Sequence, residues 1–181
     1  MASIIKANEL QDFGGNSIIT SDGAGTITLS SGMNTAVAAG TNNTPAFLVR
    51  LTGNQSVANN TYTILTFNRK ALDTDSDYDS TNYRFVPQVQ GYYKIGVRIT
   101  SQGIGNGQSL NIVKNGSTTV TEYQVDAAAS TTNSQINEAL VFMNGSSDYV
   151  DARVYQSSGS SKDYYGADYN CQFYGFRVIG A

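Results

Sequence analysis

The sequence predicts an all-β fold of about eight to ten antiparallel strands, a sandwich or jelly roll, behind a short extended β leader. Three observations carry that reading. No window repeats apolar residues at i, i+3, i+4 and i+7 long enough to make a helix. Short runs of alternating apolar and polar residues recur along the chain. Gly, Asn, Ser and Asp separate those runs, which is the punctuation of turns between strands.

The elements follow in order. PAFLVRLT (45–52) sets Phe47, Val49 and Leu51 against Ala46, Leu48 and Arg50. TYTILTF (61–67) reads as the next strand. YYKIGVRIT (92–100) places Tyr93, Ile95, Val97 and Ile99 on one face. LNIVK and TTVTEYQV flank Asn115-Gly116, a hairpin signal because both central residues of the tight turn need positive φ. SQINEALVF (134–142), YVDARVY (149–155) and CQFYGFRVI (171–179) complete the series. Gly103, Gly105 and Gly107 in SQGIGNGQ precede a strand rather than a helix, so they read as a turn and not as a phosphate cradle.

Two of these strands are apolar on both faces. In QFYGFRVI, Phe173 and Ile179 point one way while Tyr174, Phe176 and Val178 point the other; in PAFLVRL, Leu48 and Ala46 back the Phe47 face. A sandwich strand ordinarily keeps one wet face. Leu48, Tyr174, Phe176 and Val178 are therefore expected to meet another subunit.

Composition narrows the chemistry. The chain has 181 residues, of which 14% are charged, well below the roughly 25% of ordinary soluble domains. The net charge is -3 and there is no basic run, which argues against a nucleic-acid partner. No apolar stretch reaches the ~18 residues that a spanning helix needs, so no membrane insertion is expected. The beginning, MASIIKANELQDFGG, lacks the pattern of a secretory signal. Histidine is absent, which removes Ser-His-Asp and Cys-His sites and His-ligated metals. One cysteine, Cys171, makes neither a disulfide within the chain nor a cysteine-based zinc site, and reads as a small buried hydrophobe. No pair of carboxylates stands out as a hydrolytic couple, so no catalytic residue and no enzyme are expected.

Residues 1–44 differ from 45–181. SIIKANELQDFGGNSIITSDGAGTITLSSG holds few large apolar side chains, too few to offset the entropy of ordering it alone. It is read as an anchoring or stalk segment, with SIIKANEL and TITLS offering backbone groups to other chains. Residues 45–181 are read as the jelly-roll domain.

The order of motifs over 45–181 resembles the trimeric jelly roll of the complement one-q globular heads and the tumour-necrosis-factor family. PAFLVRL resembles the opening strand and TILTFN the next pair. YDSTNYRFVPQVQGYYKIGVRI resembles that family's run of Tyr-Asp, spacer, Phe, Pro, Gly-x-Tyr and an alternating strand. LNIVKNG, VFMNGSSDYVDARV and the closing QFYGFRVI follow in the family's order. One departure is the pair Ser146 and Ser147 between Gly145 and Asp148, which lengthens that turn. No collagen-like Gly-X-Y segment precedes the domain. The leader, with its NELQDFGG, resembles the start of bacteriophage tail-fibre and other virion proteins.

That resemblance implies a trimeric virion structural protein, a tail fibre or knob. It would bind a host-surface glycan or protein receptor, join other virion proteins through 1–44, assemble in the host cytoplasm and be released by lysis. Two alternatives stand beside it: a capsid-decorating or capsid-fibre protein without receptor activity, and a tailspike-type enzyme that degrades polysaccharide. For receptor contact the exposed-looking SSKDYYGADYN (160–170) supplies Asp163, Tyr164, Tyr165, Asp168 and Tyr169, since tyrosine faces and carboxylates both suit carbohydrate. The other reading packs those tyrosines between subunits. ALDTDSDYDSTNYRF carries Asp73, Asp75, Asp77 and Asp79 at alternate positions. Tyr78 and Arg84 stand where an EF-hand needs Gly and Glu, so that loop is excluded. A solvated acidic connection and a calcium site of another kind both stay open; no other cofactor is implied.

Overall fold

The computed structural model describes residues 8–24, 26–30, 43–103, 107–125, 132–167 and 169–178, and contains no helix among them. Two compact units divide the chain, Met1–Asn42 and Asn43–Ile179.

The first unit is a meander of β1 (Glu9–Gln11), β2 (Ser17–Ser21) and β3 (Ile27–Leu29), with β2 in the centre. Side chains make its turns. Asp12 Oδ1 accepts from the backbone N–H groups of Gly14 and Asn16, and Asp22 Oδ1 accepts from those of Ala24 and Thr26. These Asx turns explain why the NELQDFGGN and SDGAGT stretches are short and polar. The meander corrects one expectation: NEL and ITL already pair with β2 of the same chain, so each offers other chains only its outer edge.

The second unit holds thirteen strands among the described residues. Eight have five residues or more: β4 (Ala46–Arg50), β7 (Arg69–Asp73), β10 (Gly91–Gln102), β11 (Gln108–Lys114), β12 (Thr118–Val125), β13 (Thr132–Met143), β14 (Val150–Gln156) and β16 (Gln172–Arg177). Five are shorter: β5 (Gln55–Val57), β6 (Thr63–Ile64), β8 (Tyr78–Asp79), β9 (Arg84–Phe85) and β15 (Lys162–Tyr164). One sheet runs β5-β15-β10-β16-β4-β7, with β13 on the other edge of β10; the second runs β12-β11-β14-β9-β8, with β6 on β14. All pairings are antiparallel, and the two sheets enclose one core. This is the expected all-β jelly roll. Its strands exceed the expected eight to ten because the long connections carry short ladders of their own.

Alternation fills the core. Phe47, Val49, Tyr93, Ile95, Val97, Ile99, Val141, Met143 and Phe173 come from one sheet, and Phe85, Leu110, Ile112, Val150, Ala152 and Val154 from the other. Phe47 stacks on Phe85 with ring centroids 4.2 Å apart and meets Phe173 edge-on at 4.9 Å. The TYTILTF stretch is mostly not strand; only Thr63–Ile64 pair, and Leu65 then continues by donating its N–H to the Ala152 carbonyl. The Asn115-Gly116 hairpin forms as expected, with φ of 52° and 74°.

Candidate functional site

The residue pattern that made two strands look apolar on both faces becomes one surface in the fold. Outward positions of β13, β10, β16, β4 and β7 lie in cross-strand rows. Phe142 is opposite Tyr92; Leu140, Lys94, Phe176 and Ala46 form the next row; Glu138, Gly96, Tyr174, Leu48 and Leu72 form the one after. Relative exposure reaches 64% at Leu140 and 57% at Ile136, and Tyr92, Phe142, Leu72 and Phe176 are also exposed. Large apolar side chains so placed on adjacent strands mark an interaction surface.

A polar device sits within it. Lys94 Nζ lies 2.8 Å from Glu138 Oε2, and the Tyr174 hydroxyl donates to Glu138 Oε1 at 2.8 Å. The bonds from Lys94 and Tyr174 hold the Glu138 carboxyl below its ordinary range, and burial with the carboxylate contact pushes Tyr174 up to about 12. Gly96 makes the arrangement possible. A Cβ there would come within 2.4 Å of the Tyr174 ring, so only glycine lets the ring lie across β10 and reach β13.

Three of the four trimer-contact candidates fall on this face. Leu48, Tyr174 and Phe176 are outward, and Val178 follows β16 half-buried, its N–H donating to the Tyr92 carbonyl. The sequence reading missed Tyr92, Ile136, Leu140 and Phe142. SQINEALVF alternates Gln135, Asn137 and Ala139 with Ile136, Glu138 and Leu140, so its larger apolar residues face out while Asn137 goes in. Inside, Asn137 Nδ2 donates to the Leu110 carbonyl at 2.8 Å, which satisfies a buried amide no local pattern identifies.

The SSKDYYGADYN segment does not present its residues together. Tyr164 corrects an expectation: it is fully buried, its hydroxyl accepting from Gln108 Nε2 at 2.9 Å, and burial pushes its ionisation up despite that bond. The reason is pairing. β15 adds to β5 and touches β10 at Ser101, which turns Tyr164 into the core. Asp163 and Tyr165 are half-buried, Tyr169 is 70% exposed, and Asp168 lies outside the described residues.

Three of the four aspartates are consumed by local backbone and side-chain contacts. Asp73 Oδ1 accepts from the N–H groups of Asp77 and Tyr78, while its Oδ2 takes Lys70 at 2.7 Å. Asp77 Oδ2 accepts from Gln88 N–H, and burial first, then the neighbouring Asp75 and Asp73 charges, push its pKa up. Asp79 caps the following turn through Thr81 and Asn82 and lies 3.3 Å from Arg84. Asp75 joins no such set. Among the described residues no group of three potential metal ligands converges. Tyr78, beside them, is a core residue whose hydroxyl donates to the Phe67 carbonyl at 3.0 Å.

With this geometry in place, the comparisons agree on one fold. The C1q domain matches residues 46–178. The globular domain of a zebrafish complement 1qA protein superposes with a TM-score of 0.57 at 19% identity, covering 74% of this chain and 96% of that one. Eiger TNF from S. frugiperda gives 0.56 at 13% identity, with 75% and 93% covered. Murine APRIL gives 0.59 at 9% identity, with 74% and 98% covered. Comparison with curated proteins gives no match.

Proposed function

The chain belongs to the C1q domain family, whose members form trimers, and from that premise we propose that three copies of it assemble through the outward face of the seven-stranded sheet. Domains of this kind are generally binding or structural modules rather than enzymes. The observation that carries the assembly is the row arrangement of Leu140, Ile136, Phe142, Tyr92 and Phe176 on that face. The mass of the purified chain by light scattering tests it. Three subunits are expected, and a clean monomer at micromolar concentration refutes it.

The trimer serves, on this reading, as the adhesive head of a virion fibre or knob, with residues 1–44 tying it to other virion proteins. The support is the leader's likeness to the starts of phage tail-fibre proteins and its separation as a unit of its own. Antibody labelling of virions tests this: signal at the tail supports the fibre, signal over the capsid supports the decorating protein, and absence from virions removes both.

A further inference from the structure

We propose that a cleft on the outer side of the six-stranded sheet binds one sugar unit, a neutral or amino hexopyranose, with Tyr62 as stacking platform and Glu122 and Gln124 as hydrogen-bonding wall. The cleft has a volume of about 130 Å³ and is lined by Tyr62, Tyr155, Ser109, Glu122 and Gln124, with Gly107 and Gln108 at one end.

The register builds its floor. Ser109 is opposite Gln124 on one side and Tyr155 on the other, and Asn111 is opposite Glu122 and Arg153 in the same way. Two strand spacings, about 10 Å, therefore separate the tyrosine wall from the Glu122/Gln124 wall. Tyr62 leans on Tyr155 with ring centroids 4.9 Å apart, and the Tyr155 hydroxyl donates to Asn60 Oδ1 at 3.2 Å. Tyr155 is thereby fixed, and Tyr62 is propped while staying 60% exposed.

The polar groups select the ligand class. Among the described residues, no hydrogen bond or ion pair engages the side chains of Glu122 and Gln124. Together they offer a carboxylate acceptor and an amide that both donates and accepts, which suits neighbouring hydroxyls of a sugar ring. A half-exposed aromatic face complements the C–H face of the same ring. Arg153, the nearby cation, is held by both oxygens of Asp151 at 2.6 and 2.9 Å, so among the described residues the cleft has no free cation to neutralise an acidic sugar or a phosphate. A peptide is disfavoured because the floor strands have already spent their backbone groups in the β11–β12 and β11–β14 ladders.

The inference deepens the adhesive reading by placing ligand contact at this cleft, and its test does not depend on trimer or virion. Saturation-transfer NMR of the full chain uses millimolar methyl glycosides of glucose, galactose, mannose and N-acetylglucosamine, with N-acetylneuraminic acid and tetraglycine as contrasts. At least one neutral or amino sugar should receive transfer, and Tyr62→Ala should weaken its binding about tenfold or more. Gln124→Ala, at an exposed strand position, should weaken it independently, while Tyr62→Phe should retain it. No transfer to any of the four glycosides overturns the proposal. So does binding unchanged in Tyr62→Ala and Gln124→Ala, or a preference for the acidic sugar or the peptide.

Discussion

Replacing Leu140 by Asp should take the assembly apart without unfolding the subunit. Leu140 is 64% exposed in the single chain. Full burial of a leucine side chain stabilises by about 1.5–3 kcal/mol, so covering what is exposed here contributes about 1–2 kcal/mol per copy. Three copies contribute about 3–6 kcal/mol per trimer, or about two to four powers of ten in the three-body dissociation constant. That constant carries the square of a concentration, so the midpoint for dissociation rises by about one to two powers of ten. Burying the new carboxylate only adds to the loss, because Lys94 opposite it is already taken by Glu138. Sedimentation velocity over a dilution series reads the shift. Tyr62→Asp, equally exposed but beside the other sheet, serves as control and should stay with the parent. The reasoning is refuted if Leu140→Asp leaves the midpoint unchanged, or if far-UV circular dichroism shows that the variant has lost its strands.

Three other perturbations have defined outcomes. Gly145→Ala should destabilise by more than about 2 kcal/mol, because φ is 70° and a Cβ would meet backbone atoms of Gln90 and Val89 at 2.3–2.9 Å; Gly159→Ala, at φ 89° with nothing nearby, should cost only about 1 kcal/mol, and denaturant melts separate the two. Cys171 should resist thiol reagents until the protein unfolds, since it is fully buried and burial pushes its thiol up to about 11; rapid labelling of the native chain would contradict its placement. Stability should fall in acid partly through Asp148. Burial raises its pKa, but Asn115, Lys114 and the Asn144 N–H together hold it below the ordinary value. A depressed carboxyl contributes above the unfolded pKa of about 3.9 and loses that contribution as pH falls through the folded one. Asp148→Asn should therefore flatten the acid limb of a stability-against-pH curve, and an unchanged limb would assign it elsewhere.

Local pattern was enough for most of the long strands, though not for TYTILTF or the short ladders of the connections. Period-two alternation in YYKIGVRIT named the inward Tyr93, Ile95, Val97 and Ile99, and Asn115-Gly116 named its own turn, because both signals are written within a few residues. The doubled apolar character of PAFLVRL and QFYGFRVI pointed to an apolar outer face for the same reason. Pairing across long separations was not legible. Tyr164 reads as a surface residue by local pattern, but β15 joins β5 and β10, which takes its hydroxyl to Gln108, 56 residues away. Glu138 and Tyr174 meet only because Gly96 lies between them, and Tyr62 meets Tyr155 only because β6 lies beside β14. Sequence by itself determined which residues alternate and where the chain turns, since sterics and burial act on near neighbours. Tertiary structure alone decided which faces meet and which side chains share a surface, since register between distant strands is set by the whole core at once.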